Sequence, residues 1–166
     1  NLNIPPLKLT ADDAELTRFA VRVLAVCEPV PRKNLFGLLE LYLRAAASSD
    51  PARSCLILRV GSNSTASSTR ELIGKFIAGR IQAGVIPDYE YNIFSYPVII
   101  PEDYHGSFIA MGTHYLSTSF GEGWDLTAMQ AAACGLKLFV PAHSAYECWL
   151  NEDVATLLPI SAAPAA

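Results

Sequence analysis

The sequence predicts an α/β domain of three layers, with helices covering both faces of a parallel sheet of about six strands. Short apolar runs rich in β-branched residues alternate along the chain with stretches of helical spacing. Each connection is long enough to carry the chain back over the sheet, so successive strands can run parallel. The length, 166 residues of which 51% are hydrophobic and 17% charged, suffices for one core without disulfides or metals.

Residues 1–18 mix Pro, Asp, Thr and Lys with little periodicity and are expected to form a lead-in linker. The run Phe19–Cys27 predicts the first strand, stopped by Glu28-Pro29-Val30-Pro31. Asn34 is placed to cap a helix reaching Ser48, with Leu35, Leu38, Leu39 and Tyr42 on one face. Cys55–Gly61 predicts a second strand, Ser62–Ser68 a polar loop, and Thr69–Gly84 a second helix closed by glycine. Tyr, Ile, Val and Phe within Asp88–Ile100 suggest a third strand, broken by Pro97. Pro101-Glu102-Asp103 opens a short helix toward Met111. Thr113–Thr118 predicts a fourth strand, Ser119–Asp125 a loop, Leu126–Cys134 a helix and Lys137–Pro141 a fifth strand. A helical turn or two within His143–Leu150 and a sixth strand from Val154 complete the domain at about Ile160, and residues 161–166 form an Ala/Pro tail. In such a sheet ligands bind at the carboxyl ends of the strands, close to the point where strand order reverses.

A net charge of −4 supplies no basic surface for nucleic acid. The cysteines Cys27, Cys55, Cys134 and Cys148 are widely spaced, with no CxxC and no histidine at metal-ligand spacing. They suggest reduced core residues in a cytoplasmic protein, and no metal site is expected. No apolar stretch is long enough to span a bilayer, which leaves room only for peripheral contact with the inner face of a membrane. The chain begins at Asn1 without methionine, and the expectation is a piece of a longer polypeptide or a processed product.

The segment Ser119-Phe120-Gly121-Glu122-Gly123-Trp124-Asp125-Leu126 lies between an apolar strand and an apolar helix, where an α/β fold presents ligands to a helix N-terminus. Gly123 would let backbone N–H groups approach an anion, and Glu122 offers an acceptor to sugar hydroxyls. Taken singly, Glu122 reads as a solvated carboxylate, Lys33 as a surface lysine, Gln130 as a buried amide and Trp124 as packing. His105, His114 and His143 stand alone in sequence, so each favours a structural role, His114 in a strand core.

The stretch SFGEGWDLTAMQAAACGLKLFV resembles the donor-domain motif S-x-x-E-G-F/W-G-L-P-x-x-E-A-M-A-x-G-x-P-V of retaining glycosyltransferases built from two Rossmann-like domains (GT-B type), specifically glycosyltransferase family 4 and its relatives. Ser119, Glu122, Gly123, Trp124, Leu126, Ala131, Ala133 and Gly135 fall on the pattern. AVCEPVPRKNLFGLLELYLRA is similar to the family's first strand, loop and helix, with Lys33 at the position of a lysine that contacts the donor diphosphate. IPEDYHGSFIAMGTHYLSTS is a weaker match to the helix and strand leading into the glutamate loop. The resemblance covers about Phe19 to Leu150 and implies one half of a GT-B fold, a donor-binding domain over 19–160.

What the resemblance implies is transfer of a sugar from a nucleotide diphosphate sugar, with no further cofactor. Glu122 and Lys33 would be catalytic, and Ser119, Gly121, Gly123, Trp124, Asp125, Leu126, Gln130 and Arg32 would bind the donor. The partners implied are that donor and an acceptor-binding domain in the same or another chain, so this domain alone would not turn over. The sequence departs from the pattern at Gln130, where a ribose-holding glutamate is usual, and at Asp125, where a glycine is usual. Glu28 falls near a usual arginine, with Arg32 as a substitute, and His143-Ser144 replace a glycine pair, although Glu147 matches the acid that follows. These departures leave a second reading open, a degenerate, non-catalytic domain used for binding or assembly. An unrelated nucleotide-binding domain is less favoured because GxGxxG and P-loop motifs are absent.

Overall fold

The computed structural model describes residues 14–61, 66–96 and 99–161. The described elements are α1 (Ala14–Thr17), β1 (Val21–Cys27), α2 (Leu35–Ala47), β2 (Ser54–Val60), α3 (Ala66–Gln82), β3 (Ile93–Tyr96), α4 (Glu102–Ala110), β4 (His114–Leu116), α5 (Leu126–Ala133), β5 (Lys137–Pro141), α6 (Tyr146–Trp149) and β6 (Ala155–Leu158), with 3-10 turns at Pro31–Lys33 and Pro51–Arg53. All six strands are parallel, in the order β3-β2-β1-β4-β5-β6. This is the doubly wound, Rossmann-like arrangement that the alternating pattern predicts. Strand order reverses between β1 and β4, so the loops after these two strands flank one crevice.

Alternation along each strand divides the core into two. Leu24, Ile57, Phe94, Tyr115, Leu138 and Val140 face Phe108, Ile109, Ala128 and Tyr146 of α4, α5 and α6. Ala25, Leu56, Leu58 and Ile93 face Leu38, Leu39, Leu43 and Ile73 of α2 and α3. The interior strand β2 is buried at six of its seven positions and reads as a near-continuous apolar run, as a strand covered on both faces must. Toward the β6 edge, Phe139 and Leu158 on the α2 side are only partly buried.

Several sequence expectations change. Residues 14–17 of the lead-in form a helical turn, and Leu16 and Phe19 are buried in the core, so this stretch packs as part of the domain, and the first strand begins at Val21. Residues 1–13, the loop positions 62–65, Pro97 and the tail 162–166 lie outside the described residues. The third strand contracts to Ile93–Tyr96 because Asp88–Asn92 turn before it: Tyr91 Oη donates to Pro87 O at 3.0 Å, and Asn92 Nδ2 donates to Pro51 O at 3.1 Å. All four cysteines are free thiols, but only Cys27 and Cys55 are core residues; Cys134 follows α5 at its C-cap and Cys148 lies on the outer side of α6, both exposed. Burial pushes the thiols of Cys27 and Cys55 up to about 11 and about 12.

Candidate functional site at the strand-order reversal

The loop after β1 and the loop after β4 are stitched together through backbone and short polar side chains. Asn34 takes the left-handed conformation (φ 52°) and its Oδ1 accepts from Gly37 N at 3.2 Å, capping α2 as expected. Its Nδ2 donates to Thr118 O at 3.1 Å while Thr118 Oγ1 donates back to Asn34 O at 3.1 Å. Arg32 O receives Phe120 N at 2.8 Å and Ser119 Oγ at 3.1 Å. Ser119 is therefore a buried bracket between the two loops.

That bracket brings Lys33, Arg32 and Glu122 to one point. Lys33 Nζ donates to Glu122 Oε1 at 2.6 Å, and Arg32 Nη1 lies 3.1 Å from Oε2. The Glu122 side chain is 7% exposed, against 21% for Lys33 and 53% for Arg32, so the carboxylate sits inside a cationic cuff. Burial raises the Glu122 carboxyl, but the hydrogen bonds and charge of Lys33, with Ser119 and Arg32, outweigh it and hold the group below its ordinary value. Gly121 accepts from Arg32 through its carbonyl.

Asp125 resolves the question its charge raises. It occupies the left-handed region (φ 55°) as N-cap of α5, the conformation that a glycine at this place would adopt freely. Its Oδ1 accepts from Ala128 N at 3.2 Å, and its carboxylate turns inward to accept from Tyr115 Oη at 3.1 Å and Tyr146 Oη at 2.6 Å. Ser117 Oγ lies 2.8 Å from Tyr146 Oη and completes the chain.

The other predicted residues stand apart. Gly121 and Gly123 have room for a side chain and neither takes positive φ; the loop's left-handed residue is Asp125. Trp124 and Leu126 are exposed rather than packed, the indole N–H of Trp124 directed at Met129 Sδ. Gln130 is exposed, not a buried amide, and faces a small hollow with Thr127, His105 and Arg59. Glu28 makes no ion pair among the described residues and lies over Gly61, so it does not oppose Lys33. His143 lies beside Ser144, 2.7 Å from Nδ1 to Oγ. With Asn34, Ser119 and Phe120 it lines a cleft of about 730 Å³ between α2 and the ends of β5 and β6. His114 is half-buried on β4 beside Phe139, and burial together with Lys137 lowers its pKa. Sequence reasoning missed Asn34–Thr118, Tyr115, Tyr146 and Arg59; a charged residue ending a buried strand was the available signal for Arg59. Among the described residues no group of three or more His, Cys, Asp or Glu could hold a metal ion, and no helix is long and apolar enough to cross a membrane.

No protein-family model and no curated protein matches the sequence. Solved structures do resemble the fold. An α,α-trehalose-phosphate synthase (UDP-forming) from Burkholderia xenovorans, in complex with glucose-6-phosphate, is 12% identical and aligns over 88% of this chain and 34% of its own, with a TM-score of 0.67. The E. coli trehalose-6-phosphate structure bound with UDP-2-fluoro glucose is 16% identical over 95% of this chain and 36% of its own, with a TM-score of 0.65. A GtfA/B complex is 18% identical over 90% of this chain and 26% of its own, with a TM-score of 0.61. The chain thus carries the fold of one domain of these proteins and spans about a third of the length of the two trehalose-related ones.

Proposed function

We propose that this chain is the donor-binding half of a retaining GT-B glycosyltransferase, taking a nucleotide diphosphate sugar and working with an acceptor-binding domain in the same or another chain. The observation that carries this reading is the convergence of Lys33 and Arg32 from the β1 loop on Glu122 from the β4 loop, where strand order reverses. Two cations beside a helix N-terminus suit a leaving diphosphate, and catalysis of such a departure is chiefly electrostatic. Lys33 and Arg32 would stabilise that charge, assisted by backbone N–H groups near Gly123. Glu122 would hold the hydroxyls of the donor sugar, and Gln130 would meet the ribose through its amide. Ser119 positions the two loops rather than the donor. The chemistry takes no metal from the protein. The place of action in this reading is the cytoplasm, with peripheral contact at the inner face of a membrane compatible with it.

The second reading, a binding or assembly module without turnover, draws on the closed ion pairs. Glu122 already satisfies Lys33 and Arg32, so a donor must displace or share that carboxylate. Calorimetric titration with UDP, GDP and their glucose and mannose conjugates separates the two, and UDP comes first because two similar structures are described as UDP-forming or bound with a UDP sugar. Under the transferase reading a nucleoside diphosphate binds, Lys33→Ala weakens it about tenfold or more, and Glu122→Ala erases the preference for the sugar conjugate. Absence of binding by every nucleotide would refute it in favour of the module.

A further inference from the structure

Arg59 is the last residue but one of β2, at the carboxyl edge of the sheet, on the side covered by α4 and α5. It lines a hollow of about 40 Å³ with Val26, Phe108, His105, Thr127 and Gln130. Among the described residues no hydrogen bond or ion pair engages its guanidinium, and its Nε is shut off from solvent without a partner. Arg59 is half-buried, and its guanidinium cannot shed its charge as a lysine or histidine can. An enclosed N–H without an acceptor costs free energy that a bound acceptor returns. The contrast with Arg32 and Lys33 is direct, because both of those already hold Glu122.

The rest of the hollow is equipped to support an acceptor. His105 Nε2 lies 2.9 Å from Ile100 O, which can only accept, so Nε2 carries the proton and the ring is fixed in place. The hydroxyl of Thr127 and the amide of Gln130, one helical turn apart on α5, can both donate. A carboxylate at position 130 would face Arg59 across this small space and neutralise it. The uncharged amide leaves the cation unanswered.

We infer that the Arg59 hollow is an oxyanion site, which takes a phosphate group with Arg59 as the charge and Gln130 and Thr127 as supporting donors. Its evidence is its own geometry and does not depend on the donor reading. The phosphate is either a free ion or part of a nucleotide ligand, and the chemistry at Arg59 is the same for both.

The test is isothermal titration with sodium phosphate at low ionic strength, with sodium chloride as the control for screening. The unaltered protein should bind phosphate. Arg59→Ala should weaken binding about tenfold or more, and Arg59→Lys should restore part of it, since charge-assisted contacts are the strong ones. Gln130→Glu, at an exposed position that the fold does not depend on, should abolish binding by pairing with Arg59. Lys75→Ala, at an exposed position on α3, should leave phosphate binding unchanged, and the donor reading fails separately, in the nucleotide titrations of Lys33→Ala, so the two failures are distinguishable. Thermal unfolding of each variant checks folding, and Gln130→Glu still decides the matter if Arg59→Ala is unstable. Competition by UDP that Lys33→Ala does not weaken would make the nucleotide's phosphate the ligand of Arg59, whereas joint binding would make the ion a separate ligand. Absence of phosphate binding, or Arg59→Ala and Gln130→Glu proteins that bind as the parent does, would overturn the inference.

Discussion

Replacing Asp125 with alanine removes three interactions at one position. The helix cap to Ala128 N is worth about 1 kcal/mol. The hydrogen bonds from Tyr115 and Tyr146 end on a charged acceptor, each worth about 1.5–3 kcal/mol net, but Tyr146 keeps Ser117 and forfeits only part. Alanine at φ 55° also retains a left-handed backbone, which costs roughly 1 kcal/mol in a residue without a short polar side chain. The expected loss for Asp125→Ala is about 4–6 kcal/mol. Asp125→Gly suffers the same losses but frees the backbone, so it should be about 1 kcal/mol milder. Asp125→Asn keeps a cap and a tolerated conformation and should cost about 1–2 kcal/mol.

Urea unfolding followed by circular dichroism ranks the three. A cycle with Tyr115→Phe should show a coupling of about 1–2 kcal/mol, because the two side chains share one hydrogen bond. The tyrosines remain donors throughout such measurements, since burial, with Asp125's negative charge adding to it, pushes both phenols far above their ordinary range. A loss below about 1 kcal/mol for Asp125→Ala, or an Asp125→Gly protein more stable than its parent, would refute the account of Asp125 as an inward-facing cap.

Three further outcomes follow from the same geometry. Glu122's depressed folded-state pKa means that its ion pairs contribute stability above the ordinary glutamate value of about 4.3, and that this contribution disappears as pH falls through the lower folded value; unfolding scans from neutral to acid pH should show Glu122→Gln less stable than the parent at neutrality, with the gap closing in acid. Thiol labelling of the native protein at mildly alkaline pH should modify Cys134 and Cys148 and spare Cys27 and Cys55 until the chain unfolds, counted by mass spectrometry. Gly37→Ala should cost about 1–2 kcal/mol in urea unfolding, because a methyl group there collides with the Asn34 side chain that caps α2 and holds Thr118.

How far the sequence carried varies with the range of the interaction. Parallel β1, β2 and β5 were legible because each is a compact apolar run, and α2 because Asn34 and its apolar stripe agree. β3 was drawn too long because Tyr89 and Tyr91 precede the strand in a turn, which β propensity alone does not distinguish from a strand. The position of the candidate site was legible through Glu122, but its internal pairing was not: Lys33 and Glu122 are 89 residues apart, and only the order β1-β4 makes them neighbours. Gln130 taken singly looked like a buried amide because helical spacing does not say which face of α5 meets the sheet; Ala128 and Ala131 do.

The departures from the donor-domain motif have separate physical consequences. Asp125 carries its charge away from the crevice into two tyrosine hydroxyls and satisfies the backbone conformation that glycine would otherwise supply. Glu28 leans over Gly61 and leaves Lys33 to Glu122, with Arg32 as the second cation. Gln130 removes a negative charge from the hollow in which Arg59 has no counter-ion. Two acidic residues that by sequence threaten an anion are thus turned aside, and an acid that would neutralise Arg59 is absent. Relative to the motif, Asp125 and Glu28 still add negative charge, so of the three changes only Gln130 makes the carboxyl edge of the sheet more receptive to an anion.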